Sequence, residues 1–531
     1  MLSHLYKADF LQAADVEFRK LEAMYAWTSI RRKSIEDDHQ AKCKAIKPQR
    51  CPTHQILPLR WVFTYKVDDK GYLSKFKARV CVRGDLQIER DDDTRATTLA
   101  ARTLRTLLAI TAAFDLEMMQ LDAVNAFLNS KLDDPVYVSY PQGYGQKNHV
   151  LRLNQALYGL RVAPILWQQD IGRKLAQFGL EPVPEDPCLF IHEKIVLMIF
   201  VDDILIIYHR SHQEEAYSLK RRLMQAYELK DLGEATRFIG IQITRERAKK
   251  KLWITQDAYI EKIAHRFHLT SSKPVKTPIS AEKPTHPSAD YQASASMIHL
   301  YQQKIGSILY ATIITRPDAA KASQMLSEHL TNPTDQHMQA ADKAIVYLYH
   351  TRYKAIEYSP ISPTHPTFVC ASDASYADNI GRKSSEGYIA YLFNGPIDWV
   401  ARKQKTVTTS TTEAELLSIS SASKHIMWWK RLFRSISLDL DQTISVLCDN
   451  KQTVDLLTKV NSLYRTKLRH IDIHHHWLRQ EIVMGNIDIA WIETNSMPAD
   501  GLTKPLPNQK HQRFIHELNM VDINEKINQS D

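Results

Sequence analysis

Three aspartates set in apolar surroundings could carry chemistry together. Asp202 and Asp203 are adjacent within IVLMIFVDDILIIY (Ile195 to Tyr208), where β-branched and aromatic residues flank them on both sides. Asp122 ends a second apolar stretch, LEMMQLDAVNAF (Leu116 to Phe127). Carboxylates in such places repel one another and lose hydration unless a cation or hydrogen-bond donors compensate them. If a sheet brings Asp122 beside the Asp202–Asp203 pair, divalent metals are the natural compensation. Hard cations such as Mg²⁺ take oxygen ligands and share their shell with substrate phosphates, and a pair of them about 3.5–4 Å apart serves in-line phosphoryl transfer. The plainer alternative for Asp-Asp is a surface turn, where aspartate is common. Phe127 follows Asp122 by five residues and could lie near the sugar of a bound nucleotide or simply fill the core.

A second acidic set comprises Asp373, Glu415, Asp449 and Asp500. Glu415 is the informative member. Ser410 and Glu413 have capping-box spacing, so Glu413 is explained as a helix-start residue. Glu415 instead shares the apolar face of the helix with Ile419, Ala422 and Ile426, and an inward glutamate needs a partner. Asp373 and Asp449 each end an apolar strand pattern and are available to it. Any one of these acids could be a cap or turn residue. His470, His474, His475 and His476 invite a zinc reading, but no cysteine lies at ligand spacing and consecutive histidines on a helix point apart; a basic or solvated helix end fits better.

These acids require strands and helices to position them. Each flank of Asp202–Asp203 reads as a buried strand, joined at the aspartates by a hairpin. Phe10, Ala14, Phe18, Leu21 and Tyr25 have the spacing of an amphipathic helix over residues 8–25; residues 36–52 read as a loop. RWVFTYKV (60–67) and FKARVCVR (76–83) read as a ribbon turning at Asp68 to Gly71, with Lys77 and Arg79 on the face opposite Ala78, Val80 and Val82. A cationic face of this kind could clamp a triphosphate or a nucleic-acid backbone, or be merely solvated. Helices are expected at 98–113, through Trp167, Ile171 and Leu175, after the hairpin to about residue 229, and over most of 301–353. RFIGIQIT (237–244) reads as one strand. Behind a Pro-rich stretch the pattern restarts: three strands, a helix at 411–433, a strand at 444–449, a helix at 471–483, a strand at 487–492 and a last helix from Pro498. Such an order suggests a mixed sheet flanked by helices.

The whole has 531 residues, 44% hydrophobic and 24% charged, the composition of ordinary globular protein. A net charge of +9, scattered along the chain, is compatible with a polyanionic partner without requiring one. Six cysteines without C-x-x-C or framework spacing suit a reducing interior. Neither a signal peptide nor an apolar run long enough to span a membrane is visible, so an intracellular protein without a membrane partner is expected.

The motifs themselves resemble the reverse transcriptase and ribonuclease H portion of copia-type LTR retrotransposon polyproteins, from about Asp9 to Leu506. The residues that carry the likeness are RWVFTYK with KARVCVRGD, QLDAVNAFLNSKL, VLRLNQALYGLRVAPILW, FVDD with Phe200 in place of the usual tyrosine, and DLGEATRFIGIQI. They are followed in order by SDASYAD, STTEAEL, CDN, RTKLRHIDIHHHWLR and MPADGLTKPL. One departure is that Leu468 and Arg469 separate Arg-Thr-Lys from His470, where the family has its histidine directly after the lysine.

The resemblance implies an α+β and α/β multidomain fold: a right-hand polymerase (fingers, palm, thumb), a connection segment and a C-terminal ribonuclease H-like mixed-sheet domain. The boundaries expected are an N-terminal helix and lead-in loop at 1–55, the polymerase at 56–270, linkers at 271–298 and 359–367 around a helical connection at 299–358, the ribonuclease H-like domain at 368–506 and a tail at 507–531. It further implies RNA-directed DNA polymerisation and cleavage of RNA in RNA–DNA hybrids. Asp122, Asp202 and Asp203 would be the polymerase carboxylates, and Asp373, Glu415, Asp449 and Asp500 those of the ribonuclease. Each set would hold two Mg²⁺ (or Mn²⁺) ions. Lys77 and Arg79 would hold the incoming dNTP, and Phe127 would exclude a ribose 2′-hydroxyl. The partners implied are an RNA template, a DNA primer, the RNA–DNA hybrid and other products of the polyprotein, in a cytoplasmic particle and the nucleus. Since no segment resembles a capsid, protease or integrase, the alternative expectation is a truncated, catalytically silent relic that only binds nucleic acid.

Overall fold

The computed structural model describes residues 5–35, 55–67, 72–88, 96–192, 194–282, 287–288, 290–362, 365–440, 443–459 and 469–528. The loop expected at 36–52, the ribbon turn at 68–71 and the Arg-Thr-Lys stretch at 465–467 lie outside them.

Helix α1 (Lys7–Ala23) buries Phe10, Ala14, Phe18 and Leu21. Tyr25, expected on the same face, lies past the helix end at φ 52° and is exposed. The helix packs on a two-stranded ribbon, β1 (Leu59–Val67) with β2 (Leu73–Val82). An aromatic cluster fixes it there, the Phe10 ring standing 5.3, 5.2 and 5.0 Å from those of Phe63, Tyr65 and Phe76. On β2, Ala78, Val80 and Val82 point inward as their alternation requires.

Helix α2 (Ala101–Ala113), strand β3 (Glu117–Ala123), helix α3 (Ala163–Gln177), strands β4 (Ile195–Phe200) and β5 (Asp203–Tyr208), and strand β6 (Leu229–Glu234) make the heart of the first half. The strands lie in a six-stranded antiparallel sheet in the order β6-β3-β5-β4, continued by strands at Asp186–His192 and Glu181–Val183. Its residues alternate between two cores. Leu205 and Ile207 face the side that α2 covers, whereas Ile204 and Ile206 face the side containing Trp167 and Ile171 of α3. A sheet covered on both faces needs no polar positions, which is why its strands read as unbroken apolar runs.

A second antiparallel sheet joins strands from distant parts of the chain: Arg237–Phe238, Ile241–Glu246, Lys251–Thr255, Lys354–Tyr358 and Met520–Asp522. The single strand expected at 237–244 is in fact two, because Ile239 and Gly240 both take positive φ and reverse the chain. Helices at Ala295–Ile314, Ala320–Ser327 and Asp335–His350 lie between these strands in sequence. The residues after Leu506, read as a tail, form a helix (Asn508–Glu517) and the edge strand of this sheet.

The C-terminal unit contains strands β7 (Phe368–Ser375), β8 (Ser385–Leu392) and β9 (Gly395–Lys403), helix α4 (Thr411–Ser435), strand β10 (Ile444–Cys448), helix α5 (Arg469–Val483), strand β11 (Ile487–Trp491) and a single-turn helix α6 (Asp500–Thr503). Sheet order is β9-β8-β7-β10-β11; the first three strands are antiparallel, and β10 and β11 add in parallel. Helix α4 lays Leu416, Ile419, Ala422, Ile426 and Trp429 into the core. This is the mixed α/β multidomain class, with a mixed sheet flanked by helices at the C-terminus, that the sequence led us to expect. Among the described residues no helix is long and apolar enough to cross a membrane.

Candidate active sites

The hairpin between β4 and β5 pairs Phe200 with Asp203, leaving Val201 and Asp202 at its tip. Val201 takes a left-handed φ of 55°, a conformation that costs a β-branched residue about 1–2 kcal/mol. Two hydrogen bonds hold it: Trp167 Nε1 donates to the Val201 carbonyl at 2.7 Å, and Ala123 N to the Asp202 carbonyl at 2.8 Å. The second bond also clamps the tip to β3, where Asp122 lies directly opposite Asp203. The sheet therefore brings the three aspartates together.

Their surroundings differ. Asp202 accepts from the Tyr158 hydroxyl at 3.2 Å through Oδ2, and its buried Oδ1 has no hydrogen-bond partner among the described residues. Burial raises its pKa, and Asp122 adds to the rise against the Tyr158 hydrogen bond. Asp203 accepts from Gln120 Nε2 at 3.1 Å, and burial raises its pKa as well. Asp122 has Lys230 Nζ 3.9 Å away. An orphaned buried carboxylate oxygen beside a second carboxylate is a donor set that suits a divalent cation.

Asp122 and Asp202 open into a cleft of about 730 Å³, whose opposite wall is Lys75, Lys77 and Arg79 of the ribbon and whose third wall is Gln12, Glu17 and Lys20 of α1. Arg79 lies 5.4 Å from the Tyr158 ring centroid. Burial, then Arg79, lowers the Lys77 pKa, and burial raises that of Glu17. Asp203 and Phe127 are not among the residues lining this cleft. Phe127 is 6% exposed and stands edge-on behind Tyr158 at 4.7 Å, so of these two rings it is Tyr158 that lines the cleft. Sequence reasoning missed Tyr158, Trp167 and Glu17. Their types are ordinary core and helix residues, and only the tertiary fold aims them at the site.

In the C-terminal unit, carboxylate oxygens of Asp373, Glu415 and Asp449 lie within 4.8 Å of one another, the one acidic or histidine group this tight among the described residues. Asp373 is on β7, Glu415 on the inward face of α4, and Asp449 just past β10, its carbonyl accepting from Trp491 Nε1 at 3.0 Å. Glu415 is 5% exposed and accepts from Ala374 N at 3.2 Å; burial, then Asp373 and Asp449, hold its pKa well above the usual carboxylate range. Burial also pushes Asp373 up to about 6, against the pull of Lys504. Three carboxylates this close, two of them buried, fit a divalent cation far better than they fit each other.

Asp500 begins α6 and stands apart from that trio, paired with Lys504 Nζ at 2.6 Å; Lys504 also reaches Asp373 Oδ2 at 3.6 Å, and Thr503 Oγ1 donates to the same oxygen. Glu413 is the capping residue expected: Ser410 Oγ accepts from its N–H at 3.1 Å, and its own carboxylate reaches Thr409 N at 2.7 Å. The histidines do not converge. His474 Nδ1 meets Ser420 Oγ at 2.7 Å, His475 is buried, and His476 pairs with Asp472 at 3.4 Å.

A family model described as reverse transcriptase (RNA-dependent DNA polymerase) matches residues 48–281. A retrovirus-related Pol polyprotein from a Nicotiana tabacum transposon (TNT 1-94) is 33% identical over 86% of this chain and 35% of its own length. Another, from an Arabidopsis thaliana transposon (RE1), is 30% identical over 89% of this chain and 32% of its length. The chain thus spans about a third of the curated relatives it matches. Among solved structures, a foamy viral protease–reverse transcriptase in complex with double-stranded DNA aligns with 92% of this chain and 70% of that one, at 14% identity and a TM-score of 0.45.

Proposed function

The chain belongs to the copia/Ty1-type retrotransposon Pol polyproteins and carries their reverse transcriptase domain, and from that premise we propose that it copies RNA into DNA and cleaves the RNA strand of RNA–DNA hybrids. The observation that carries the reading is that two acidic clusters follow one another along one chain. One, Asp122 with Asp202, opens on a cleft walled by cations; the other gathers Asp373, Glu415 and Asp449 beneath a short helix that presents Asp500.

In the polymerase cleft, Lys77 and Arg79 receive the triphosphate charge of a dNTP across from the carboxylates. Asp122 and Asp202 would hold Mg²⁺, with Asp203 buttressing them from the paired strand. The chemistry such an ion would supply there is Lewis-acid polarisation of the primer 3′-hydroxyl and compensation of the charge on the α-phosphate and the pyrophosphate leaving group. Tyr158 fixes the Asp202 carboxylate through its hydroxyl and gives the sugar a ring to rest against, while Phe127 holds that ring from behind. In the C-terminal site, Asp373, Glu415, Asp449 and Asp500 would hold the ions against an RNA phosphodiester, and a hybrid is distinguished from duplex DNA by the 2′-hydroxyl of its RNA strand.

The test is one purified sample assayed for primer extension on RNA and for hybrid cleavage, with Mg²⁺. Asp202→Asn should abolish extension and spare cleavage; Asp373→Asn should do the reverse. A wild-type chain that does neither while still binding a hybrid would establish the silent nucleic-acid-binding alternative.

A further inference from the structure

Lys504 is a cation placed where the C-terminal site would otherwise need one. Its Nζ bridges Asp500 Oδ1 at 2.6 Å and Asp373 Oδ2 at 3.6 Å. Asp373 is thus shared between two cation positions. On its inner side it joins Glu415 and Asp449, neither of which makes an ion pair among the described residues; the Lys504 ammonium acts on them only at longer range. On its outer side it faces Asp500 across the lysine ammonium. The two positions also differ in access: the Asp373 side chain is 1% exposed and that of Asp500 17%, while Lys504 itself is 40% exposed. A long, flexible, half-exposed lysine can swing its head into water without disturbing the core.

Resting on the function proposed above, we propose that Lys504 is a tethered, displaceable cation standing at the outer metal position, so that the site fills in sequence. The first ion enters the Asp373–Glu415–Asp449 trio, where the ammonium touches only the outer edge through Asp373. The second enters between Asp373 and Asp500 only by displacing the ammonium, and so binds more weakly. Without metal the same ammonium keeps Asp500 and α6 drawn against β7, and the bond from Thr503 to Asp373 holds the turn in register. Lys504 is therefore a positioning residue that makes two metal positions unequal, rather than one that touches the substrate.

The experiment titrates Mn²⁺ into the full-length chain in an Asp202→Asn background, which weakens binding at the polymerase cleft, and follows bound ions by calorimetry and electron paramagnetic resonance. With Lys504 present, two steps are expected. Lys504→Met should tighten the second step by about tenfold and the first by much less, narrowing the gap; Lys504→Arg, which keeps the charge, should preserve it. In EDTA, Lys504→Met should also lower the thermal midpoint, since Asp373 and Asp500 then face each other uncompensated. Lys504→Gln repeats the measurement should methionine disturb the packing. An unchanged second step in both neutral variants overturns the proposal. Asp373→Asn separates the two layers of argument: if it leaves both steps intact, the ions bind elsewhere and the site reading fails, whereas if it removes them while Lys504→Met changes nothing, the lysine proposal alone fails.

Discussion

At the scale of single residues, both sites consist of acids that the fold holds at a disadvantage. Glu415 is the clearest case, buried on the face of a helix with Asp373 and Asp449 against it. Its folded pKa lies above its unfolded value, so the group favours folding below the unfolded value and costs stability once pH rises past it. At pH 7.5 without metal that cost is present, and Glu415→Gln, which keeps the acceptor for Ala374 N, should raise stability by about 1–3 kcal/mol. The gain should fade near pH 4, and excess Mn²⁺ should reverse the ranking; thermal melts with EDTA or Mn²⁺ at both pH values read this directly. A Glu415→Gln variant less stable than wild type in EDTA at pH 7.5 would show that the carboxylate is not strained. The acids themselves were legible in the sequence, because a charged residue interrupting an apolar pattern is conspicuous. Their partners were not. Tyr158 and Trp167 acquire meaning only from a neighbour 44 or 34 positions away, respectively Asp202 and Val201, and Lys504, though it has Asp500 at i−4, from its reach to Asp373, 131 positions away; nothing in their local spacing announces those remote contacts.

At the scale of elements, α1 does more than open the chain. It lies before the stretch matched by the reverse transcriptase family model, yet it supplies one wall of the cleft and is held to the ribbon by Phe10. Truncating that ring should cost about 3–5 kcal/mol if the ribbon cannot collapse around the gap, and the helix should then detach before the sheet melts. Phe10→Ala is therefore expected to raise the KM for dNTP, with hybrid cleavage unchanged; an unaltered KM would mean that α1 is scaffolding only. A second element, the helix at Asn508–Glu517, is pinned by His511, whose Nε2 lies 2.9 Å from the Tyr347 hydroxyl. That hydroxyl donates to Asp318 Oδ2 at 2.6 Å, so the imidazole is the donor toward Tyr347. Burial holds the His511 pKa below its ordinary value, so its contribution is present above about pH 6.5 and lost as pH falls through the lower folded value. His511→Gln, which can still donate, should lose less thermal stability than wild type between pH 7 and pH 5. Strands covered on both faces were readable as apolar runs; the short strand at Met520–Asp522 was not, since it has no run or turn signal of its own and exists through pairing with a remote partner.

At the scale of the whole molecule, the linkers visible in the sequence are not the seams of the fold. The sheet built from residues 237–255, 354–358 and 520–522 reaches across both Pro-rich stretches, and a single apolar cluster runs from Leu205 of the polymerase sheet through Ile254 and Ile356 to Trp429 of α4. Composition marks where a chain is extended and polar, but it carries no information about which distant edges pair. The sharpest tie between the halves is Arg105 of α2. Its guanidinium donates to the carbonyls of Ile397 at 2.7 Å and Ile313 at 2.6 Å, lies 3.9 Å from the Trp399 ring centroid, and faces Asp398 at 3.4 Å. A buried charge with this many partners is a specific latch, because removing it strips the Ile313 and Ile397 carbonyls of this donor at once and leaves Asp398 only the Tyr388 hydroxyl. Arg105→Ala should cost about 3–5 kcal/mol, and the loss should fall on the junction rather than inside either sheet. Calorimetry should then resolve the C-terminal unit as a transition separate from the polymerase sheet, where the wild-type chain melts the two together. Extension and cleavage, each assayed at low temperature, should both survive, because neither acidic site contains a partner of Arg105. If the variant still unfolds in the wild-type number of transitions at the wild-type midpoint, the latch is dispensable and the shared apolar core alone joins the two sites.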